Sequence, residues 1–353
     1  MKFAEVLEIK NGKNQKQVEN PNGKYPIYGS GGVMGRADAY ICEADTVIVG
    51  RKGTINNPIY VDEPFWNVDT AFGLVANKEL LLPKYLYYFC CYFDFESLNT
   101  TVTIPSLTKA NLLNIEINIP SIAEQGQVVG TLNKISELIS LRKTQIYKLE
   151  QLTQSRFLEV FGDCEQEAFI GDVISISRGA SPRPISAFIT EREDGVNWIK
   201  IGDVSENSLY ITKTEERITP EGAKKSRMVH KGDFILSNSM SFGRPYILGI
   251  DGCVHDGWLI MSDFKEIFHE LYLYHAIRSD DVQYQFSGKV NGATVKNLNS
   301  DLVKNTLIKV PPMALQNQFA AFVEQINKSK FELKQSLEKL ETLKKSLMQQ
   351  YFG

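Results

Sequence analysis

The chain has 353 residues, 43% of them hydrophobic and 23% charged, with 39 Lys and Arg against 42 Asp and Glu. That length suggests two domains of ordinary size or one with large insertions, and the apolar share is enough for a real core, which excludes wholesale disorder. The net charge of −3 offers no global attraction to nucleic acid, so a DNA-binding role has to rest on local features.

The opening residues MKFAEVLEIK have no signal-peptide core, and no apolar run is long enough to span a bilayer, so the sequence predicts a cytoplasmic protein. Cys42, Cys90, Cys91, Cys164 and Cys253 form no CxxC pair. They suit a reducing compartment and argue against a disulfide framework or a zinc site.

Residues 1–118 read as a β-rich domain. Short runs rich in Val, Ile and Tyr predict strands at 46–51, 58–61 and 115–120, and 83–93 predicts one helix. Its loops carry the basic and amide side chains. Lys13 follows Gly12, Arg36 ends the glycine-rich turn that starts at Tyr28, and Arg51, Lys52, Thr54 and Asn56 occupy the loop after strand 46–50.

Residues 119–163 read as a long helix. Ser121 and Glu124, just after Pro120, make a capping box that satisfies otherwise orphaned N–H groups. Ile135, Ile139, Arg142, Ile146, Leu149, Thr153, Arg156 and Val160 then follow at three- and four-residue steps. Such a seam predicts a coiled-coil helix of about 38 residues, roughly 57 Å long.

Residues 164–309 form a second β-rich domain, with strands expected at 234–239, 246–250 and 306–311 and one helix at 271–277. Arg178 and Arg183 bracket its first loop, and Asn238, Ser239, Ser241 and Arg244 lie in the loop 237–244, which matches the first domain's loop after strand 46–50. Residues 310–353 form a second long helix with a seam of Ile326, Lys330, Leu333, Leu337, Leu340, Lys344, Leu347 and Tyr351.

The two halves are copies. Residues 119–162 lie over 310–353 at a constant offset of 191 with 13 of 44 positions identical, well beyond chance. Matching residues include Pro120/Pro311, Gln125/Gln316, Phe161/Phe352 and Gly162/Gly353. Weaker matches pair 5–12 with 172–179, 45–50 with 233–238, and Val68-Asp69 with His255-Asp256. Helices at equivalent places in such a chain are expected to pair antiparallel. The seam cations Arg142 and Lys330 either lay their stems along the seam or meet carboxylates on another protein. If alanine at both left every subunit interaction intact, the second option would fail.

Arg and Lys suit guanine edges and phosphates, while Asn, Ser and Thr suit adenine edges and the sugar-phosphate backbone. One such turn alone is ordinarily just a turn. Recurrence at matching places in both copies makes these loops candidates for DNA contact.

No catalytic constellation stands beside them. Asn57-Pro58-Ile59-Tyr60 departs from the Asn-Pro-Pro-Tyr motif of amino-methyltransferases, and the glycines of 29–35 lack GxGxxG spacing. His230, His255, His269 and His275 show no ligand spacing. Asp69 and Asp256 read as strand-end structure. The expectation is binding without chemistry, with no metal or cofactor.

This layout resembles the DNA specificity subunit of Type I restriction-modification systems. The carriers are the two Pro-x-x-x-x-Gln helix starts, the matched coiled-coil segments, the Phe-Gly endings, Gly232-Asp233, and Thr103…Leu107 with Thr294…Leu298. The resemblance covers nearly the whole chain. It implies two β-rich target recognition domains in an α+β fold, joined by two antiparallel helices, each domain reading one half of a bipartite, asymmetric site on double-stranded DNA. It implies helices that dock two adenine-methyltransferase subunits, with motor-nuclease restriction subunits joining for cleavage, and no catalysis by this chain. The chain is short for such a protein and starts almost at the first strand, so no N-terminal extension is expected to add to the helical frame. The alternatives are a coiled-coil adaptor without DNA readout and a single-chain modification or cleavage enzyme.

A helix of roughly 57 Å limits the separation of domain centres to about 17 base pairs at about 3.4 Å each. Residues 1–118 carry 11 basic and 13 acidic side chains, and 164–309 carry 17 and 20. Neither domain is a basic module, so tight DNA binding is expected to need the methyltransferase partners.

Overall fold

The computed structural model of the chain describes residues 1–99, 106–204, 208–238, 243–287 and 298–353. Two compact units divide it, Met1–Gln145 with Glu332–Gly353, and Ile146–Phe331. Each unit therefore holds one β-rich body and half of each long helix.

In the first unit a short α1 (Phe3–Val6) leads into β1 (Leu7–Asn11), followed by β2 (Tyr25–Gly29), β3 (Gly32–Ala37), β4 (Thr46–Gly50), β5 (Ile59–Val61), β6 (Trp66–Asn67) and β7 (Ala71–Ala76). One sheet runs β1-β7-β4-β5, antiparallel throughout, and a second runs β3-β2-β6 with β2 and β6 parallel. Every residue of β4 is buried, as a continuous apolar run in a central strand predicts. Helices α2 (Pro83–Tyr92) and α3 (Lys109–Leu113) complete the body before α4 (Ile122–Phe161). The strand expected at 115–120 is reduced to a bridge between Lys2 and Glu116, with Met1 and Ile117 exchanging backbone bonds. Its partner is only the Met1-Lys2 pair before the chain turns into α1.

The second unit repeats this plan. Its elements are β8 (Glu167–Phe169), α5 (Ile170–Val173), β9 (Ser175–Arg178), β10 (Val196–Ile199), β11 (Tyr210–Ile211), β12 (Glu216–Ile218), α6 (Pro220–Ala223), β13 (Arg227–Val229), β14 (Phe234–Ser237), β15 (Pro245–Leu248), β16 (Gly252–Val254) and β17 (Trp258–Ser262). They continue with α7 (Glu270–Ile277), α8 (Asp280–Phe286), α9 (Ser300–Lys304), β18 (Leu307–Lys309) and α10 (Met313–Phe352). The order β9-β17-β14-β15 copies β1-β7-β4-β5 and adds β11 at the edge, while β12-β10-β16 copies β3-β2-β6 and adds β13. The parallel pair recurs, β10 with β16. Helix α8 escapes a hydropathy reading because it is mostly polar. Ser279 caps it, Asp280 and Asp281 suit its N-terminal dipole, and only Val282 and Phe286, four residues apart, are buried.

The start of each long helix is fixed by a buried glutamine. Gln125 accepts from Leu82 N (2.8 Å) and donates to the carbonyls of Leu80 (2.8 Å) and Pro120 (2.9 Å). Gln316 does the same with His269 N (2.8 Å) and the carbonyls of Ile267 (2.9 Å) and Pro311 (2.8 Å). The Pro-x-x-x-x-Gln motif is therefore a clasp between each helix start and the segment preceding α2 or α7. Ser121 and Glu124 form the expected capping box, Ser121 N donating to Glu124 Oε2 at 2.9 Å.

The helix ends are fixed by phenylalanine. Phe161, at the end of α4, packs on Tyr272 and Phe319 in the second unit, with ring centroids 4.7 and 5.4 Å away. Phe352, at the end of α10, packs on Tyr85 in the first unit at 5.1 Å. The last turn of the C-terminal helix thus closes on the body formed by the start of the chain.

Within each unit the helical halves run antiparallel. In the first, Arg142 Nε donates to Ser336 Oγ (3.2 Å) and Lys143 pairs with Glu341 (3.0 Å). In the second, Glu150 meets Lys330 (2.8 Å) and Phe157 meets Phe319 (5.5 Å). Ile135 and Ile326 are buried, and Ile139, Ile146, Leu149, Leu333, Leu337 and Leu340 are half-buried. The seam cations have internal partners. Arg142 also reaches Gln145, Lys330 has Glu150, and Lys344 lies over the Tyr88 ring, so none of them requires a carboxylate from another protein. Arg156 corrects the expected seam, because it points outward and pairs with Glu159 while Phe157 packs inward.

His275 of α7 lies against Tyr274, Phe319 and Phe157, with centroids 5.2, 5.4 and 6.3 Å away. Burial, helped by the charges of Arg278 and Lys330, pushes its pKa down to about 4. The unfolded chain therefore takes up the proton first as pH falls. The stability this ring contributes is full above about pH 6.5 and drains away between there and pH 4. We expect the second unit to lose roughly 1–3 kcal/mol across that window. His275→Phe should flatten this part of a melting-temperature profile, and an unchanged slope would assign it to other groups.

Candidate nucleic-acid interface

In both units most of the described candidate side chains gather around the segment that crosses from one sheet to the other, β6 to β7 and β16 to β17. Close backbone approach builds the platform. A Cβ on Gly12 would lie 1.8 Å from Val68 O, and one on Gly179 would lie 2.1 Å from His255 O, so only glycine fits at these equivalent positions.

In the first unit, Lys13 N donates to Asn67 O (2.8 Å), and Trp66 Nε1 holds the Lys13 carbonyl (3.0 Å). Arg51 N and Lys52 N both donate to Thr70 O, at 2.8 and 3.2 Å. The Arg51 guanidinium lies over the Phe72 ring (5.8 Å) and reaches the Asp69 carbonyl (3.5 Å). Lys13, Arg51 and Lys52 thus hang exposed from residues 67–70. Thr54 is exposed on the same loop, which turns tightly at Gly53 with φ +79°.

Two candidates are engaged elsewhere. Arg36 donates from Nε to Gly23 O (2.6 Å) and from a terminal nitrogen to Lys24 O (2.7 Å), pinning the turn before β2. Asn56 donates to Asp94 Oδ1 (2.8 Å) and accepts from Phe95 N (2.7 Å), so both ends of its amide hold the 3-10 turn Phe95–Leu98.

In the second unit, Asp256 is the hub. Its carbonyl accepts from Arg178 Nε (2.9 Å) and Asn238 Nδ2 (3.1 Å), and its carboxylate accepts from Ser181 Oγ (2.8 Å) and a terminal nitrogen of Arg183 (3.3 Å). The Ser181 hydroxyl is the main reason this carboxyl sits below the usual carboxylate range, and the charges of His255 and Arg183 add to it. Arg244 adjoins the other end of the loop, its carbonyl accepting from Ser237 N (3.0 Å) and its N–H donating to Ser237 Oγ (3.1 Å). Ser239, Ser241, Thr103 and Thr294 lie outside the described residues. Asp256 therefore does more than end a strand, the turn or strand-end role that the sequence predicts for it and for Asp69. Their matched positions in the two copies are the one signal in the sequence that singles them out.

Two β-rich units of one topology, each with a strand-end platform of basic side chains and each holding half of two antiparallel helices, define a duplicated recognition protein. The sequence profile of the Type I restriction modification DNA specificity domain matches residues 1–151 and again 165–345. The chain belongs to that family.

A putative type I restriction enzyme specificity subunit of Haemophilus influenzae is 23% identical over 338 residues, covering 91% of this chain and 85% of its own length. The putative MjaX specificity subunit of Methanocaldococcus jannaschii is 22% identical over 304 residues, covering 78% and 68%. Among solved structures, the S subunit of the M. genitalium Type I system matches with a TM-score of 0.62 at 17% identity, covering 100% of this chain and 95% of that one. A chain from a structural study of assembly and conformational transition in the type I system matches with a TM-score of 0.60 at 15% identity, covering 99% and 96%. These structural likenesses establish the fold. Among the described residues, no helix is long and apolar enough to cross a membrane.

Proposed function

We propose that the chain is the non-catalytic recognition subunit of a cytoplasmic Type I restriction-modification complex. Each unit reads one half of a bipartite, asymmetric DNA site. The paired helices dock two adenine-methyltransferase subunits and, through them, the restriction subunits. The observation that carries this reading is the repetition of one glycine-hugged, strand-end platform bearing basic side chains, built from dissimilar residues in the two units. A repeated frame with divergent loops is what two different half-sites call for. Lys13, Arg51, Lys52 and Thr54 in the first unit, and Arg178, Arg183 and Arg244 in the second, are the proposed contact set, while Asn238, buried and bonded to the Asp256 carbonyl, holds the platform beneath them. Arg36 and Asn56 serve by shaping their loops.

The test is base-resolution mapping of methylated adenines in the host genome. We expect a motif of half-site, unspecified gap and half-site that vanishes when the gene is deleted. A methylation pattern unchanged by deletion would overturn the proposal.

A further inference from the structure

We infer that Asp256 is the positioning residue of the second unit's reading surface, gathering side chains from two separate segments around one point. The inference rests on the recognition role proposed above and assigns its specificity in that unit to a particular organising group. Arg178 comes from the end of β9, Ser181 and Arg183 from the loop after it, and Asn238 from the end of β14, and all four bond to Asp256. The loop is held in both directions, because Ser181 Oγ donates to the carboxylate and accepts from Asp256 N at 3.3 Å. Neighbouring bonds fix the same loop to the platform: Ala180 N donates to Val254 O (3.1 Å), and Ser226 Oγ donates to Ala180 O (2.6 Å).

The arrangement differs from an ordinary turn in what it leaves outside. The Arg183 side chain is 81% exposed although paired, so its guanidinium is aimed by Asp256 and still open to a ligand. A carboxylate at that place sets direction and also opposes indiscriminate phosphate attraction, since a neighbouring negative charge partly cancels the arginine. In the first unit the equivalent Asp69 offers its carbonyl to Arg51, so the same backbone position orients a basic side chain in both copies.

Asp256→Asn separates positioning from folding. The main-chain carbonyl keeps Arg178 and Asn238, and the amide oxygen keeps Ser181, while the charged oxygen that aims Arg183 is replaced by an N–H donor that the guanidinium cannot bond. The full chain assembled with its methyltransferase partners is the material, probed by methylome mapping and by binding to a mixed-sequence duplex over a salt series. We expect base preference to relax by roughly tenfold in one half-site and to stay intact in the other. Binding to the mixed duplex should tighten, with a salt dependence steeper by about one phosphate contact. A purely structural role would instead weaken binding to every sequence without steepening the slope, and that result would overturn the inference. So would unchanged preference in both half-sites. If the unaltered complex shows no bipartite preference at all, the recognition role itself fails, an outcome distinct from a silent Asp256→Asn variant.

Discussion

Replacing Gln316 with leucine will destabilise the second unit by about 3 kcal/mol or more. The side chain is fully buried, and its amide makes three backbone bonds. Leucine fills similar space but strands one N–H, at His269, and two carbonyls, at Ile267 and Pro311. Each stranded group costs roughly 1–3 kcal/mol when water cannot reach it. The amide is the one neutral side chain that can accept once and donate twice at this reach. Gln316→Glu is therefore the sharper control. Its carboxylate could still accept from His269 N, but it would face two carbonyl oxygens with no hydrogen to offer. Denaturant melts combined with hydrogen exchange at the start of α7 and α10 would measure both variants. Gln125→Leu should reproduce the loss in the first unit. A Glu variant as stable as the parent would show that the donor half of the clasp contributes nothing.

Gln125 and Gln316 also show what the sequence could reveal. Their recurrence at an offset of 191 marked them as shared, yet nothing local states that the amide reaches 45 residues back to Leu80 or 49 back to Ile267. Long-range bonds leave no periodic trace in a chain. The elements with strong periodic signals were legible: the buried run of β4, helices α2 and α7, and both long helices. Helix α8 was not, because its stability comes from a cap and two buried side chains. The seam residue Arg156 was misplaced because a three- and four-residue step pattern does not distinguish it from the adjacent Phe157, and only packing against Phe319 decides.

For the candidate interface the sequence supplied the loops but not the roles of their members. Arg36 and Arg183 look alike as exposed arginines beside glycine-rich or proline-containing turns. One is tied to the Gly23 and Lys24 carbonyls, while the other is aimed by Asp256 and remains open. Asn56 has the amide that suits an adenine edge, yet both of its ends cap a turn. Which polar group is committed internally depends on partners dozens of residues away, and loops of different length in the two copies blur that correspondence.

Adding one heptad to each long helix, after Gln145 and after Phe331, will lengthen the gap between the recognised half-sites and leave their sequences unchanged. Both helices are 40 residues long and continue without a break through those positions. Seven residues add about 10 Å per helix, which corresponds to up to about three base pairs of duplex. A whole heptad keeps the seam on its face, whereas two or five extra residues would rotate it away. The bonds that set register stay within their own units: Arg142 with Ser336 and Lys143 with Glu341 in the first, Glu150 with Lys330 in the second. Lengthening only α4 should therefore be far more damaging than lengthening both helices. The register of one unit would then have to slip by seven residues against that of the other, and the closing contact of Phe352 on Tyr85 or of Phe161 on Tyr272 would be lost. Methylome mapping of the double insertion reads the gap directly, and a melt of the single insertion reads the register. Altered half-site sequences with an unchanged gap would mean that the helices do not set the spacing.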